Sequence, residues 1–428
     1  MRIYRELLDK VKKQFDVSKP VGLILSGIVG CGKTTLVEML FSELQKSYEL
    51  FIYSGDDVRF RHAVAEDTKY ILNDVKSKTK KKALVFVDEI QKSEEAFDAI
   101  KVAFDSGLIS FIVSGSNPAY LNTIAKKRLQ RRADLNLVLP ISLRELSIDK
   151  GFVGKDVHFE NILWKTDNID SLQLPKCEIP PDFYNTIQEY FIYGGLPLVL
   201  TSEGQEKKLR EIKLTVERGF DLMSKDNNSI AETIRIELAD LHSQEFAYKN
   251  ILNKTRLRRR DTINVVIDEL INHGYLYKKS PILFYAGKSS YLSTFSYTDP
   301  GIVSYLTGDY SVTGEKFGFR VEGYIHARLS YIIYNSVFKS QLYYYKPHAL
   351  DSNKNIRYQP GEIDFIFSFN KKIIPIEVKA TLKRQNINTT LLLEVIDQKK
   401  SPFGVILYGG EPYIDYALKI LYWPYWLV

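Results

Sequence analysis

The sequence is poor in cysteine and has no apolar run long enough for a membrane span. Its 428 residues include two cysteines, Cys31 and Cys177, which excludes the disulfide frameworks of small secreted domains. The apolar stretch at 420–428 is far shorter than the ~20 residues of a membrane-spanning helix, and it suits a terminal strand or a docking segment. Residues 1–15 form a charged amphipathic helix without the apolar core of a secretion signal. These absences predict a soluble, cytoplasmic protein without membrane contact.

The charge balance is mildly basic. Lysine and arginine total 59 against 52 acidic residues, which gives a formal net charge of +7. Such an excess suits contact with nucleic acid but does not establish it, because it is spread thinly. Hydrophobic residues make up 45% of the chain, which is enough for packed cores. The length predicts about two to four domains.

Residues 27–34 read GIVGCGKT, which fits the phosphate-loop (P-loop) pattern G-x-x-x-x-G-K-[ST]. An apolar strand pattern at 21–25 precedes it and a helical pattern at 35–44 follows, as the motif requires. Backbone N–H groups of such a loop surround phosphate oxygens at the positive end of a helix. We expect Lys33 to contact the β- and γ-phosphates and Thr34 to ligate Mg²⁺. The motif predicts ATP binding by Gly27, Ile28, Val29, Gly30, Cys31, Gly32, Lys33, Thr34 and Thr35.

Two later strands extend this site. The apolar run at 83–87 is typical of a buried parallel strand, and it ends in Asp88 and Glu89. We expect Asp88 to hold Mg²⁺ through water and Glu89 to activate the attacking water. The next strand, 111–113, runs into Ser114-Gly115-Ser116-Asn117. Sensing of the γ-phosphate by Ser116 or Asn117 is one interpretation, and a plain turn is the other.

A basic segment, 126–132, comes next. It has three interpretations: it supplies an arginine finger, it contacts nucleic acid, or it is a solvated helix face.

The order of these motifs resembles the archaeal-type ATPases of the AAA+/STAND superfamily. The resemblance rests on the P-loop, Asp-Glu-Ile-Gln-Lys at 88–92, Ser-Gly-Ser at 114–116 and Leu-Pro-Ile-Ser-Leu-Arg-Glu-Leu at 139–146. Tyr-Gly-Gly-Leu-Pro at 193–197 is similar to the family's signature in its helical lid. The resemblance covers about the first 200 residues, a length typical of one or two domains, and implies ATP hydrolysis.

The resemblance also implies a role for arginine. Family members carry Gly-Arg shortly before the 139–146 segment; Arg132 aligns with that arginine, and Arg131 replaces the glycine. Arg132 is therefore a predicted nucleotide-site residue, and Arg131, Arg132 and Arg144 are arginine-finger candidates. A finger acting in trans would require an oligomer, whereas STAND-type switching would not.

Residues 229–273 show three helical patterns, at 229–241, 246–252 and 261–273, and two strands are predicted near 275–277 and 291–295. Three helices followed by a hairpin is the order of a winged helix. Arg258, Arg259 and Arg260 open the third helix and would meet DNA phosphates if it entered a groove. In the resembled family the module also serves as a connector between domains, and both roles stay open.

The C-terminal region predicts a nuclease-like site. A helix at 323–338 has Glu322 at its start, and strands are predicted at 342–345, 363–367 and 373–380. Asp364, a gap of 12 residues and Glu377-x-Lys379 form the PD-(D/E)xK pattern. Glu377 and Lys379 share a strand face, and Asp364 comes beside Glu377. We expect Glu322, Asp364 and Glu377 to hold Mg²⁺ or Mn²⁺, and Lys379 to position water or stabilise developing charge.

The predicted fold class is α/β, with four modules. Residues 1–148 form a P-loop AAA+-type ATPase core with a parallel sheet, 149–226 a helical lid, 227–310 a winged helix-turn-helix module and 311–428 an α/β restriction-endonuclease-like domain. The predicted function is ATP binding and hydrolysis coupled to a DNA-binding, metal-dependent nuclease-like domain. One alternative is a nucleotide-gated scaffold that binds DNA or protein without cutting. The other is a plain ATPase that acts on a protein partner.

Overall fold

The computed structural model describes residues 3–15, 18–177, 180–223, 228–255, 260–282, 293–350, 356–358, 360–385 and 387–428. The first module is a five-stranded parallel sheet with strand order β2-β3-β4-β1-β5, an arrangement typical of P-loop NTPases. The strands are β1 Gly22–Ser26, β2 Glu49–Ser54, β3 Ala83–Asp88, β4 Ile109–Gly115 and β5 Asp134–Leu137. The helices are α1 Glu6–Lys12, α2 Lys33–Leu44, α3 Val58–Glu66, α4 Tyr70–Lys78, α5 Glu94–Asp105, α6 Pro118–Ile124 and α7 Leu143–Asp149.

The central strands of this sheet are buried on both faces. Every residue of β1 and β4 is buried, and so is β3 up to Val87. Helices on both sides of a parallel sheet explain why these strands read as unbroken apolar runs. Since β4 lies between β3 and β1, the residues that follow these three strands meet at one edge. That edge carries the P-loop, as expected for ligand sites of open α/β sheets.

A helical middle region follows and ends in a strand pair. Its helices are α8 Phe159–Lys165, α9 Pro181–Tyr193, α10 Pro197–Leu200, α11 Gln205–Asp221, α12 Asn228–Asp240, α13 Tyr248–Thr255 and α14 Asp261–Asn272. The antiparallel pair is β6 Leu276–Pro281 and β7 Thr294–Tyr297. Of the strand predicted near 291–295, residues 291 and 292 lie outside the described residues.

The C-terminal region forms a mixed sheet with α15 Pro300–Thr307, α16 Gly314–Tyr334 and α17 Thr390–Lys399. Its strands are β8 Gln341–Tyr345, β11 Ile363–Phe369, β12 Lys372–Val378, β13 Gly404–Tyr408, β14 Tyr413–Asp415 and β15 Ile420–Pro424; β9 His348–Leu350 and β10 Ile356–Tyr358 pair separately. The order is β14-β15-β13-β12-β11-β8-β6-β7, since β6 pairs in parallel with β8 through Ser280 and Pro281. The middle and C-terminal regions therefore share one sheet.

Helix α16 begins at Gly314 rather than near residue 323, so the predicted helix start at Glu322 is wrong. Phe317, Arg320 and Val321 are buried at helical spacing, which extends the amphipathic pattern toward the N-terminus. Glu322 consequently lies in the middle of a long helix. The C-terminal run forms β15 and a short 3₁₀ turn, and all of it is buried. Among the described helices, none combines the length and apolarity that crossing a bilayer needs.

The Gly194-Gly195 segment packs directly on the N-terminus of α15. Asp299 caps this helix and is 1% exposed. The backbone N–H of Gly195 donates to its Oδ2 (2.7 Å) and that of Gly301 to its Oδ1 (2.9 Å). Gly194 has φ +80°, and a Cβ there would collide with the same carboxylate. Burial raises the pKa of Asp299 to about 6. Close contact with Asp299 thus explains the glycine pair at 194–195.

Replacing Asp299 by alanine should destabilise the protein by roughly 2–4 kcal/mol, because buried N–H groups are left unpaired at ~1–3 kcal/mol each. Asp57, an exposed cap of α3, is the matched control, and Asp57→Ala should cost ~1 kcal/mol or less. Urea unfolding of both variants checks this. Equal effects of the two substitutions would contradict the assigned role of Asp299.

Candidate functional site

The P-loop has the geometry of an anion cradle. Gly30 and Gly32 have φ of +75° and +92°, a region that glycine adopts without strain. The Lys33 ammonium, 7% exposed, donates to the carbonyls of Gly27 (2.9 Å) and Ile28 (3.0 Å). Lys33 thus bonds to backbone oxygens in the position from which a P-loop lysine reaches phosphate. Cys31 is a buried free thiol in the same loop.

Arg5, which no sequence pattern marks, braces this loop. Its guanidinium is 6% exposed and donates to the carbonyls of Cys31 (3.1 Å) and Leu139 (2.7 Å). It also pairs with Glu145, 3.2 Å away. Glu145 in turn accepts from the backbone N–H of Ser142 in a capping box on α7. The loop is therefore fixed from outside by a residue before α1.

Thr34, Asp88 and Ser114 meet beside Lys33. The Thr34 hydroxyl donates to Asp88 Oδ2 at 3.2 Å, and the Ser114 hydroxyl donates to Asp88 Oδ1. A hydroxyl and a carboxylate next to a glycine-rich loop are the oxygen donors that Mg²⁺ takes in nucleotide sites. These residues fit ATP with Mg²⁺.

Glu89 is held by two neighbours. Its backbone has φ +46°, a conformation that is uncommon for a residue with a side chain. Its carboxylate accepts from the Gln91 amide and from the Ser116 hydroxyl (3.1 Å). Asn117 caps α6 through the backbone N–H of Tyr120 and contacts His273 Nε2 at 3.3 Å. Ser116 thus contacts the predicted base, and Asn117 faces the middle region.

The middle region covers the P-loop. A Cβ on Gly30 would collide with the Thr215 side chain, and the space beside Gly32 is filled by Pro197. Gly274 lies against Ile28 and Pro118. Tyr275, 1% exposed, places its hydroxyl beside the Val29 backbone, and that hydroxyl has no hydrogen-bond partner among the described residues. The candidate nucleotide site is therefore lined by α10, α11 and the start of β6 as well as by the first module.

The arginine candidates lie away from this site within the chain. Arg132 forms a two-point pair with Asp105 (2.6 and 3.0 Å), and its carbonyl abuts Gly22, at the opposite end of β1 from the loop. Arg144 is 2% exposed and bonds to Glu6 and the Val157 carbonyl. Neither faces the P-loop of its own chain, since acidic and carbonyl partners hold both elsewhere.

Arg128 of the basic segment is also paired with acids. Arg128 pairs with Glu94 (2.6 Å) and with Asp98, which favours the solvated-face interpretation of 126–132. Arg131 has φ +59°, so it adopts the backbone conformation that the family's glycine favours. Arg258 and Arg259 lie outside the described residues, and the Arg260 guanidinium lies 5.0 Å from the Tyr248 ring centroid.

The C-terminal sheet brings Asp364, Glu377 and Lys379 together. Phe365 on β11 pairs with Ile376 on β12, so Asp364 comes beside Glu377. The backbone N–H of Val378 donates to Asp364 Oδ2 (2.7 Å), and Lys379 Nζ lies 2.5 Å from Glu377 Oε1. We name Glu322, Asp364 and Glu377 the acidic cluster.

A second lysine, missed in the sequence, occupies this cluster. Lys279 of β6 is 1% exposed, and its ammonium donates to Glu322 Oε1 and to the Asp364 carbonyl, both at 2.8 Å. Alternation along the strand from buried Leu276 predicts Lys278 inside, but β6 buries Lys279 instead. The irregular alternation explains why no sequence signal marked it.

The carboxyls of the acidic cluster are buried and bonded to donors within the chain. Burial raises the pKa of all three carboxyls, and each one has an internal donor. Across the described parts of the chain, no group of three or more His, Cys, Asp or Glu is placed to hold a metal ion. The assignment of Glu322, Asp364 and Glu377 as metal ligands stays a prediction, and the Lys279 ammonium supplies a positive charge beside Glu322.

Comparison with known proteins bears on the first module. Residues 20–147 match the family model described as an AAA domain. The chain carries an AAA-type P-loop ATPase domain. An uncharacterized protein of Methanocaldococcus jannaschii is 23% identical over 284 residues, covering 61% of this chain. The match spans 58% of that relative's length.

Solved structures show weak global similarity. The Aeropyrum pernix Orc1 protein, in complex with DNA, has a TM-score of 0.30 and 13% identity over 72% of this chain and 93% of its own. Cdc6p from Pyrobaculum aerophilum has a TM-score of 0.27 and 10% identity over 71% and 92%. The replication initiator DnaA, bound to AMPPCP and single-stranded DNA, has a TM-score of 0.26 and 16% identity over 62% and 86%.

Arg5→Lys should weaken nucleotide binding about tenfold, since one hydrogen bond to a charged group contributes ~1.5–3 kcal/mol. Lysine keeps the charge beside Glu145 but lacks the planar fork that reaches two carbonyls at once. The dissociation constant of a fluorescent ATP analogue measures the effect. Arg59→Lys, on the exposed face of α3, is the control. Unchanged affinity in Arg5→Lys would contradict the bracing role.

Proposed function

We propose that this chain binds and hydrolyses ATP and uses the cycle to change how its middle and C-terminal regions engage DNA. The observation that carries the proposal is the contact between the P-loop and the middle region. Tyr275 faces Val29, and His273 contacts Asn117. A nucleotide bound at the loop would contact the middle region, so nucleotide binding and release would change the position of that region.

Each residue of the nucleotide site would have a distinct role in the reaction. Lys33 would leave the carbonyls of Gly27 and Ile28 for the phosphates, and backbone N–H groups of 30–34 would surround them. Mg²⁺ held by Thr34 and Asp88 would neutralise phosphate charge. Glu89 would take a hydrogen bond from the attacking water and orient it. Gln91 and Ser116, which now hold the Glu89 carboxylate, would position that base.

Glu89→Gln should keep ATP binding and lower the hydrolysis rate constant about 10²–10⁴-fold, the size of a general-base contribution. Lys33→Ala should instead lose binding, because it removes the charge that meets the phosphates. Phosphate release and ATP-analogue binding are measured side by side, with Glu66→Gln on the exposed end of α3 as control. Hydrolysis at the wild-type rate in Glu89→Gln would refute the assignment.

We propose DNA as the partner of the middle region. The order of three helices and a strand pair is that of a winged helix, Arg260 lies at the start of α14, and Arg258 and Arg259 precede it. Phosphate contacts of this kind give affinity without sequence preference and depend steeply on salt. Service as a connector between domains is the alternative.

Arg258→Gln with Arg259→Gln should reduce the slope of log affinity against log salt concentration by about 2, since each phosphate contact contributes about 0.9. Arg128→Gln with Arg132→Gln removes the same charge from arginines already paired with acids, and should leave the slope nearly unchanged. Fluorescence anisotropy with a DNA duplex at several salt concentrations measures both. Equal slopes for the two double variants would favour the connector role.

For the C-terminal region we propose a nuclease-like domain that, in the arrangement described here, binds DNA or a protein partner without cutting. Lys279 bonds to the Glu322 carboxylate and to the backbone carbonyl of Asp364, so an ammonium of the chain lies in the acidic cluster, where the sequence predicts a metal ion. Cleavage is the second candidate, favoured by the Asp364, Glu377 and Lys379 constellation on β11 and β12. It requires that Lys279 leave the cluster.

A further inference from the structure

One strand runs from the nucleotide site to the acidic cluster. Tyr275, directly before β6, faces the P-loop, and Lys279, within β6, lies among the carboxylates. Four residue steps of an extended strand span about 13 Å. Both side chains are 1% exposed, so neither can shift without disturbing packed surroundings.

Within β6, the Lys279 ammonium lies in the acidic cluster, where the sequence predicts a metal ion. The Lys279 ammonium bonds to Glu322 and the Asp364 carbonyl, and it lies 4.2 Å from the Phe365 ring centroid. Buried carboxylates need a compensating positive charge, and here the chain supplies its own. Glu377 Oε2 is buried without a hydrogen-bond partner among the described residues. The cluster therefore retains an oxygen able to accept a further cation.

The start of β6 lies beside the backbone of the P-loop, whose N–H groups a bound nucleotide would use. The Tyr275 hydroxyl lies beside the Val29 backbone and against Gly219, and it has no hydrogen-bond partner among the described residues. Phosphate binding uses the N–H groups of this loop. A bound triphosphate would therefore alter the surroundings of Tyr275 and of the preceding Gly274, which lies against Ile28 of the loop. Since β6 is hydrogen-bonded to β7 and β8, a shift at its start is passed along the strand.

We propose that β6 couples the two sites: Lys279 occupies the acidic cluster in place of a divalent ion, and nucleotide at the P-loop releases it. The nucleotide half of this inference rests on the proposed ATP binding. The Lys279 half rests only on the contacts of the acidic cluster. The two halves are tested separately.

The first test measures Mn²⁺ binding to the full-length protein without nucleotide, by electron paramagnetic resonance. Lys279→Met removes the ammonium and keeps most of the side-chain volume. It should bind about one Mn²⁺ ion at least tenfold more tightly than wild type, within the ~10–100-fold range of effects around metal sites. Lys278→Met, at the exposed neighbouring position, should behave as wild type. Adding Asp364→Asn to Lys279→Met should abolish the new site.

If Lys279→Met binds Mn²⁺ no more tightly than Lys278→Met does, the proposal that Lys279 takes the place of a metal ion in the acidic cluster is refuted. Circular dichroism and gel filtration establish that each variant is folded. The second test needs no change at residue 279, so it also decides the case in which Lys279→Met does not fold.

The second test adds the non-hydrolysable analogue AMP-PNP to wild type. Wild type and Asp364→Asn should each bind one Mn²⁺ ion together with the nucleotide. Wild type should bind about one further Mn²⁺ ion, in the acidic cluster, which Asp364→Asn should lack. Lys33→Ala should show no such difference. Equal Mn²⁺ binding by wild type and Asp364→Asn, with AMP-PNP bound to both, would overturn the coupling. Absence of AMP-PNP binding would refute the ATPase proposal and the nucleotide half, while the Lys279→Met result would still decide the other half.

Discussion

A buried network of charges joins the N-terminal segment, the ATPase module and the long helix of the C-terminal region. Arg5 pairs with Glu145, while Glu6 bonds to Arg144 and lies 3.5 Å from Arg328 of α16. Removing one partner of a buried pair costs several kcal/mol, about 3–5, because the other charge stays buried. The network therefore fixes the relative position of segments far apart in sequence. The P-loop depends on it, since Arg5 also holds the Cys31 carbonyl.

Internal bonds of the same kind occur at both candidate sites. Each reactive charge bonds to a group that the chain itself supplies: Lys33 to two carbonyls, Glu89 to Gln91 and Ser116, and Glu322 to Lys279. A ligand that enters either site has to replace an internal partner. Sites built in this way can exchange one set of bonds for another at small net cost, which is what a switch between two states requires.

Local patterns in the sequence predicted the parallel sheet, the P-loop and the strands around Asp364 and Glu377, because apolar runs and turn residues act over a few positions. The remaining features depend on contacts between distant segments. Arg5 looks like any charged residue of a surface helix, and Lys279 breaks the alternation that would have revealed it. Arg132 was assigned by alignment, and its partner Asp105 holds it at the far end of the sheet. Only Asp299 carried a local signal, the Asp-Pro-Gly start of α15.

The coupling proposed between the nucleotide site and the acidic cluster runs through β6. Hydrogen exchange with mass spectrometry tests it most directly, on wild type and Lys33→Ala with and without AMP-PNP. We expect the nucleotide to change exchange in residues 275–281 and in α16 around Glu322, to leave β13 and β15 unchanged, and to have no effect in Lys33→Ala. Changes confined to the P-loop and to residues 88–91, with β6 and α16 unaffected, would contradict the account.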